Sequence, residues 1–253
     1  MTTPSTPAAD NLRRIMGEAG RPVQAEGDEV DRSTWLAARR RAVEVDYTRD
    51  APTYDEGYDP RTPTHRRFVA ALIETCPEGA TVLDAACGTG PYMDMVLEAG
   101  RRVLGIDQSA GMLARARAKH PEARLERVGL QELAIEGECD AAMCVDAMEH
   151  VPPEEWPQVL ANLRRAIRPD SHLYLTVEQV EPAKLDHAAA AAGEAPVVHG
   201  EDAGRDTGGY HFYPSREQVA GWLRDAGLVI VDEADEWLDG YGYHHLLLRA
   251  SPM

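Results

Sequence analysis

Asp84, Asp107 and His150 each stand where an apolar stretch gives way to a loop, the place where open α/β sheets gather their ligands. The first of these transitions is the most telling. Thr81, Val82 and Leu83 are β-branched or apolar, the chain then turns small and glycine-rich through Cys87-Gly88-Thr89-Gly90, and a helical pattern begins at Pro91. Proline suits a first helical position, because its missing N–H is one that a helix start leaves unpaired. Gly88 and Gly90 let a ligand approach the backbone with no side chain in the way. A turn of this kind, between a strand end and a helix start, holds nucleotide-like molecules.

The second acid supports the same chemistry. Arg102-Val103-Leu104-Gly105-Ile106 reads as a buried strand ending in Asp107, about 20 residues past the glycines, the distance at which a βαβ unit returns a carboxylate to the same sheet edge. A carboxylate there can accept hydrogen bonds from both hydroxyls of a ribose; its plainer role is to cap the helix that starts near Ser109. Two common nucleotide loops are excluded. The dinucleotide fingerprint needs a third glycine where Met93 stands, and the phosphate-cradling loop needs a Gly-Lys-Ser or Gly-Lys-Thr that is not there. Proton chemistry falls to histidine, the side chain that titrates near neutral pH. His150 follows the end of the fourth strand, and His211, between Tyr210 and Tyr213, closes a long loop. Each also fits an ordinary structural role, His150 at a helix start and His211 in packing.

Asp84, Gly88 and Gly90 together resemble the first motif of the class I S-adenosylmethionine-dependent methyltransferases of small-molecule type, and Asp107 matches the acid that ends their second motif. Ala86 departs from the pattern, standing where the family usually has glycine, and implies an ordinary backbone conformation there. The resemblance implies that Gln108 and Met112 line the adenosine, that Leu130 packs on the adenine ring and Gln131 bonds its edge, and that Val145 ends the strand beside which methyl transfer takes place. Tyr54 and Tyr58 become candidates to fold over the cofactor, with surface packing as the alternative. S-adenosylmethionine is then the expected cofactor. The expected reaction is direct methyl transfer to an oxygen, nitrogen or carbon of a small molecule, with specialised metabolism as a setting. The rival is a cofactor-binding protein of the same fold in a cyclase, decarboxylase or regulatory role.

The elements that must position these residues follow from periodicity. Ser33 is expected to cap a helix through Trp35, Leu36 and Val43, and a helix over 64–75 presents Phe68, Val69, Leu72 and Ile73 on one face. Further helices are predicted over 109–120 and 153–167 and from Ser215, with strands at 81–83, 102–107, 123–128, 140–145, 172–177, 228–231 and 243–248. The fold class is therefore α/β, a Rossmann-like seven-stranded, mostly parallel sheet with helices on both faces. Residues 1–60 form an N-terminal arm and lid helices, and 61–253 the methyltransferase core, with a lid insertion at 179–209 that is long for a plain connection.

Composition narrows the partners. A formal charge of −17 disfavours nucleic acid and anionic membranes, and Arg39-Arg40-Arg41 reads as a solvated helix face. No apolar run approaches the ~20 residues that span a bilayer, and the first residues lack a secretion signal, so a cytoplasmic home is expected. Cys76, Cys87, Cys139 and Cys144 form no paired framework and read as reduced core thiols. No paired-acid or histidine-rich spacing calls for a metal. The acceptor and the oligomeric state are not written in the sequence.

Overall fold

The computed structural model describes residues 31–56, 60–182, 184–185, 197–202, 209–238 and 240–252. A helical possibility at 11–18, Tyr58 and the run Ala188–Ala192 lie outside them.

A seven-stranded sheet carries the architecture. Its first five strands are β1 (Thr81–Ala85), β2 (Arg102–Asp107), β3 (Arg124–Arg127), β4 (Cys139–Cys144) and β5 (Ile167–Val180). After a separate short pair, β6 (Glu201–Asp202) and β7 (His211–Phe212), come β8 (Leu228–Leu238) and β9 (Tyr241–Ala250). The order is β3-β2-β1-β4-β5-β9-β8, with β1 to β5 parallel and β9 antiparallel to both neighbours. The strand order reverses between β1 and β4, which opens a crevice at their carboxyl ends.

Alternation along the strands feeds a core on each face. From β1, Leu83 and Ala85 join one apolar cluster while Val82 joins the other. Helix α2 (Pro63–Glu74) covers one side with Phe68, Val69, Leu72 and Ile73, joined by α3 (Met93–Glu98). Helix α5 (Trp156–Ala166) covers the other with Trp156, Val159, Leu160 and Leu163, joined by Val219 and Leu223 of α6 (Arg216–Asp225). Each such fully buried side chain contributes roughly 1.5–3 kcal/mol of transfer free energy. Pro157 sits in the first turn of α5, where it removes no helical hydrogen bond. Among the described residues no helix is long and apolar enough to cross a membrane.

Several expectations need correction. Helix α1 spans Arg32–Asp50, and Asp31, not Ser33, caps it by accepting from the Thr34 N–H at 3.3 Å. The helix carries Tyr47 and Thr48, so the turn-rich segment begins only at Ala51. Strand β5 is longer than predicted, because a register shift against β4 lets Arg168-Pro169-Asp170 pass as an irregularity within it. Its far end reaches Val180, which moves the start of the insertion past residue 179. Arg39-Arg40-Arg41 is not a uniformly solvated face: Arg39 lies over the Trp35 ring, and Arg40 is bonded to Glu155. Helix α1 packs on α4 (Ala110–Lys119) at Gly111, where a Cβ would stand 2.6 Å from the Thr48 carbonyl oxygen.

The glycine turn shows the largest local departure. Ala86 adopts φ 57°, the left-handed region, rather than the ordinary conformation its side chain suggested. The turn demands it: Cys87 N–H must reach back to the Ile106 carbonyl of β2 at 2.9 Å while Gly90 N–H closes on the Cys87 carbonyl at 2.8 Å. Replacing Ala86 by glycine should remove this strain and raise stability by about 1 kcal/mol, seen as a melting point higher by ~2–4 °C. A melting point that is unchanged or lower would show that the backbone there is unstrained.

Candidate cofactor and acceptor cleft

A cleft of about 1010 Å³, counted with its open mouth, lies over the carboxyl ends of β1, β2 and β4. Of the residues singled out from sequence, Tyr54, Gly88, Asp107, Gln108, Met112, Leu130, Gln131, Val145 and His150 line it. Asp84, Gly90 and His211 do not. Arg40, Tyr47, Tyr92 and Asp146 line it too and were not anticipated; Tyr47 and Arg40 arrive on α1, whose length the sequence pattern understated.

The floor is built around Asp107. One carboxylate oxygen accepts from Gly88 N–H at 2.8 Å, and the other accepts from Ser109 N–H at 2.7 Å. Each keeps a lone pair for a further donor, so the pair of oxygens fits the two hydroxyls of a ribose. Ser109 caps α4 through its own hydroxyl, so Asp107 is not the cap. Beneath the turn, Asp84 is buried with an unpartnered Oδ2; burial, then the nearby Asp107 charge, push it up to about 7. A buried acid short of a donor, next to a glycine turn, suits a ligand that brings positive charge. Gly90 faces away from the cleft, its carbonyl accepting from the His120 ring at 2.9 Å when that nitrogen is protonated.

The walls are fixed by buried amides and ion pairs. Asn162 on α5 donates its amide to the carbonyls of Leu130 and Gln131, both at 3.0 Å, which holds the loop after β3 in place. Gln131 spends its own amide N–H on Glu155 at 2.8 Å, the carboxylate that also receives Arg40. Across the cleft, Asp55 accepts from the Thr89 hydroxyl at 2.6 Å and from the Lys119 ammonium at 3.1 Å. That staple brings the neighbouring Tyr54 against the glycine turn.

His150 follows the fourth strand on a short 3₁₀ turn over Met148–His150. Its Nδ1 lies 3.1 Å from the Tyr210 carbonyl, which can only accept, so Nδ1 carries the proton and Nε2 accepts from the Tyr47 hydroxyl at 2.9 Å. Burial, reinforced by the neighbouring His211, lowers its pKa to about 3. His211 packs edge-on against His150 with ring centroids 5.0 Å apart. Burial opposes its charge, but the Glu178 carboxylate at 3.0 Å, with Glu149 and Asp202 behind it, outweighs burial and raises its pKa to about 9. His211 is thus not among the residues that line the cleft, and the Glu178 carboxylate beside it favours its charged form, which disfavours the expected role as a base.

The sequence matches the methyltransferase domain family over residues 82–170. It is 31% identical over 177 residues to a ubiquinone biosynthesis O-methyltransferase of Xanthomonas axonopodis pv. citri, covering 67% of this chain and 70% of that protein. The counterpart of that name in Pseudomonas paraeruginosa is 27% identical over 160 residues, covering 61% of this chain and 66% of its own. Among solved structures, the 1,6-didemethyltoxoflavin-N1-methyltransferase of Burkholderia thailandensis aligns with TM-score 0.65 at 20% identity, over 91% of this chain and 94% of that one. A (4+2)-cyclase, SpnF, shares the fold with TM-score 0.62 at 16% identity, over 83% of this chain and 96% of that one. The glycine turn, the acid at the end of β2, the sheet order and the 31% identity meet in one conclusion: this chain belongs to the class I S-adenosylmethionine-dependent methyltransferases, enzymes whose cofactor is S-adenosylmethionine.

Proposed function

We propose that this enzyme methylates a hydroxyl oxygen of a small molecule that enters the cleft between α1 and the end of β4. The observation that carries the reading is the Nε2 of His150, lining the cleft and accepting a hydroxyl proton from Tyr47 at 2.9 Å. The names of its relatives, O-methyltransferases, support oxygen over nitrogen or carbon.

S-adenosylmethionine brings a methyl group on a positively charged sulfur, which an acceptor oxygen displaces directly. Asp107 would receive the ribose hydroxyls, Leu130 and Gln131 would flank the adenine, Gln108 and Met112 would line the adenosine, and Tyr54 and Val145 would close the remaining sides. Gly88 gives the backbone room for the amino-acid end, with the buried Asp84 charge below. The acceptor hydroxyl takes the place of the Tyr47 hydroxyl on His150 Nε2, which receives its proton as the new bond to carbon forms. A base with a pKa of about 3 is weak, so alignment of the two reactants contributes more than proton removal. The Tyr210 carbonyl keeps the His150 proton on Nδ1 and its lone pair toward the cleft.

Incubation with S-adenosylmethionine and a panel of catechols, phenols, aliphatic alcohols and amines, followed by mass spectrometry, should give a methylated hydroxyl compound and stoichiometric S-adenosylhomocysteine. Cofactor binding without any demethylated cofactor across the panel would favour a non-methylating role instead. On the hydroxyl substrate so found, His150→Gln should lower kcat by about 100-fold and leave KM within a few-fold; an unaltered kcat removes His150 as the base.

The paired histidines also set a pH dependence. His211 gains stability from a raised folded-state pKa, so its contribution is complete below pH 6.5 and drains away as pH climbs toward about 9. His150 works in the opposite sense, its contribution present above pH 6.5 and fading as pH falls toward about 3. Melting curves of His211→Gln should therefore lose less on going from pH 6.5 to 9 than those of the parent chain; parallel losses would place the His211 proton elsewhere.

A further inference from the structure

A side chain of α2 meets two from the distant β8–β9 hairpin behind the cleft. His65 on α2, Glu236 on β8 and His245 on β9 each offer a ligand atom, and these atoms all lie within 4.8 Å of one another. Glu236 Oε2 stands 3.6 Å from His245 Nε2 and 4.0 Å from His65 Nδ1. His65 and His245 are 1% and 0% exposed, while Glu236, 20% exposed, gives the cluster an entry from solvent.

The outer nitrogens of both rings are already committed. His65 Nε2 is 3.1 Å from Asp146 Oδ1; a carboxylate only accepts, so this nitrogen bears a proton, and Nδ1, beside the Thr62 hydroxyl oxygen at 2.8 Å, is the atom turned inward. His245 Nδ1 is 2.8 Å from the Tyr174 hydroxyl, and its Nε2 has no hydrogen-bond partner among the described residues although it is fully buried. The Thr62 hydroxyl lies 2.8 Å from His65 Nδ1 and donates its proton to Glu236 Oε2 at 2.6 Å. With the Thr62 proton on Glu236 Oε2, that carboxylate, His65 Nδ1 and the partnerless His245 Nε2 converge on one buried space, which a cation would satisfy together.

We propose that His65 Nδ1, His245 Nε2 and Glu236 Oε2 bind one zinc ion. Two imidazoles and a carboxylate form a donor set that zinc uses, with the fourth position left to water or the Thr62 hydroxyl. Zinc bonds of about 2.0–2.2 Å at tetrahedral angles put donors roughly 3.4 Å apart, so the edges of 3.6 and 4.0 Å must close by about 0.2 and 0.6 Å, and the third, within 4.8 Å, by up to about 1.4 Å. The Asp146–His65 contact is the outer carboxylate that metal-bound histidines commonly carry, and the Tyr174 hydroxyl does the same for His245. Packing supports the arrangement: Phe68 stacks on the His245 ring at 5.4 Å, and Tyr92 stacks on His65 at 6.0 Å. Because Asp146 also lines the cleft, the ion would brace the acceptor side of the site without touching the reactants.

The test is metal binding by the full chain, which is read without any methyl transfer. After chelator treatment, titration with Zn²⁺ in a calorimeter and with Co²⁺ by visible absorption should show one equivalent bound per chain, with a tetrahedral cobalt spectrum and a higher melting point. Glu236→Gln and His245→Gln should each weaken binding at least about 10-fold. Glu236, half out of the core, is the safer change to fold. A parent chain that takes up no stoichiometric Zn²⁺ or Co²⁺ would mean that a proton on one imidazole fills the space. Binding of equal strength in both folded variants would place the metal on the acidic surface. Either result overturns the site.

Discussion

One carboxylate holds the cleft together. Asp107 accepts from the N–H of Gly88 on one side and of Ser109 on the other, so the end of β2, the glycine turn after β1 and the start of α4 are fixed to a single buried group. A buried charge is costly unless hydrogen-bonded, and the two backbone donors meet part of that cost while leaving lone pairs free. Ala86 bears the associated backbone strain, held in the left-handed region so that the turn can come within reach. The site is thus preformed by the same bonds that hold the sheet edge in register.

Above this floor the structure adds a roof of different origin. Helix α1 lies on α4 through the close contact at Gly111 and the Thr48 to Ser109 hydroxyl bond of 2.9 Å. Arg32 on α1 bonds the buried Glu201 of the β6–β7 pair at 2.6 Å, so helix and insertion are tied to each other. Glu201 in turn receives the Tyr210 hydroxyl, and the Tyr210 carbonyl fixes the tautomer of His150. A chain of polar contacts therefore runs from the outer helix to His150 in the wall of the cleft.

The sheet was legible because its strands are short apolar runs bounded by glycine, proline and acids, and because Asp107 sits where a βαβ unit must return it. Ser215 at the start of its helix was an equally local signal. What escaped was set by tertiary contact. The reach of α1 to Asp50 depends on packing against α4, since its own sequence is polar and only weakly amphipathic. The opposite protonation of His150 and His211 depends on Glu178 in β5, and no spacing reveals that partner. His65 is separated from Glu236 and His245 by most of the chain, so only α2 packed against the β8–β9 hairpin brings the three donors together. Asp84 and Gly90, which the motif placed at the ligand, are not among the side chains lining the cleft.

The central claim is that the cleft over Asp107 is the cofactor site, and calorimetry with S-adenosylhomocysteine tests it most directly. The parent chain should bind one equivalent, and Asp107→Ala, shown folded by its melting curve, should bind at least about 10-fold more weakly, as loss of charge-assisted hydrogen bonds requires. Equal affinity in the folded variant, or no binding by the parent chain, would contradict the account.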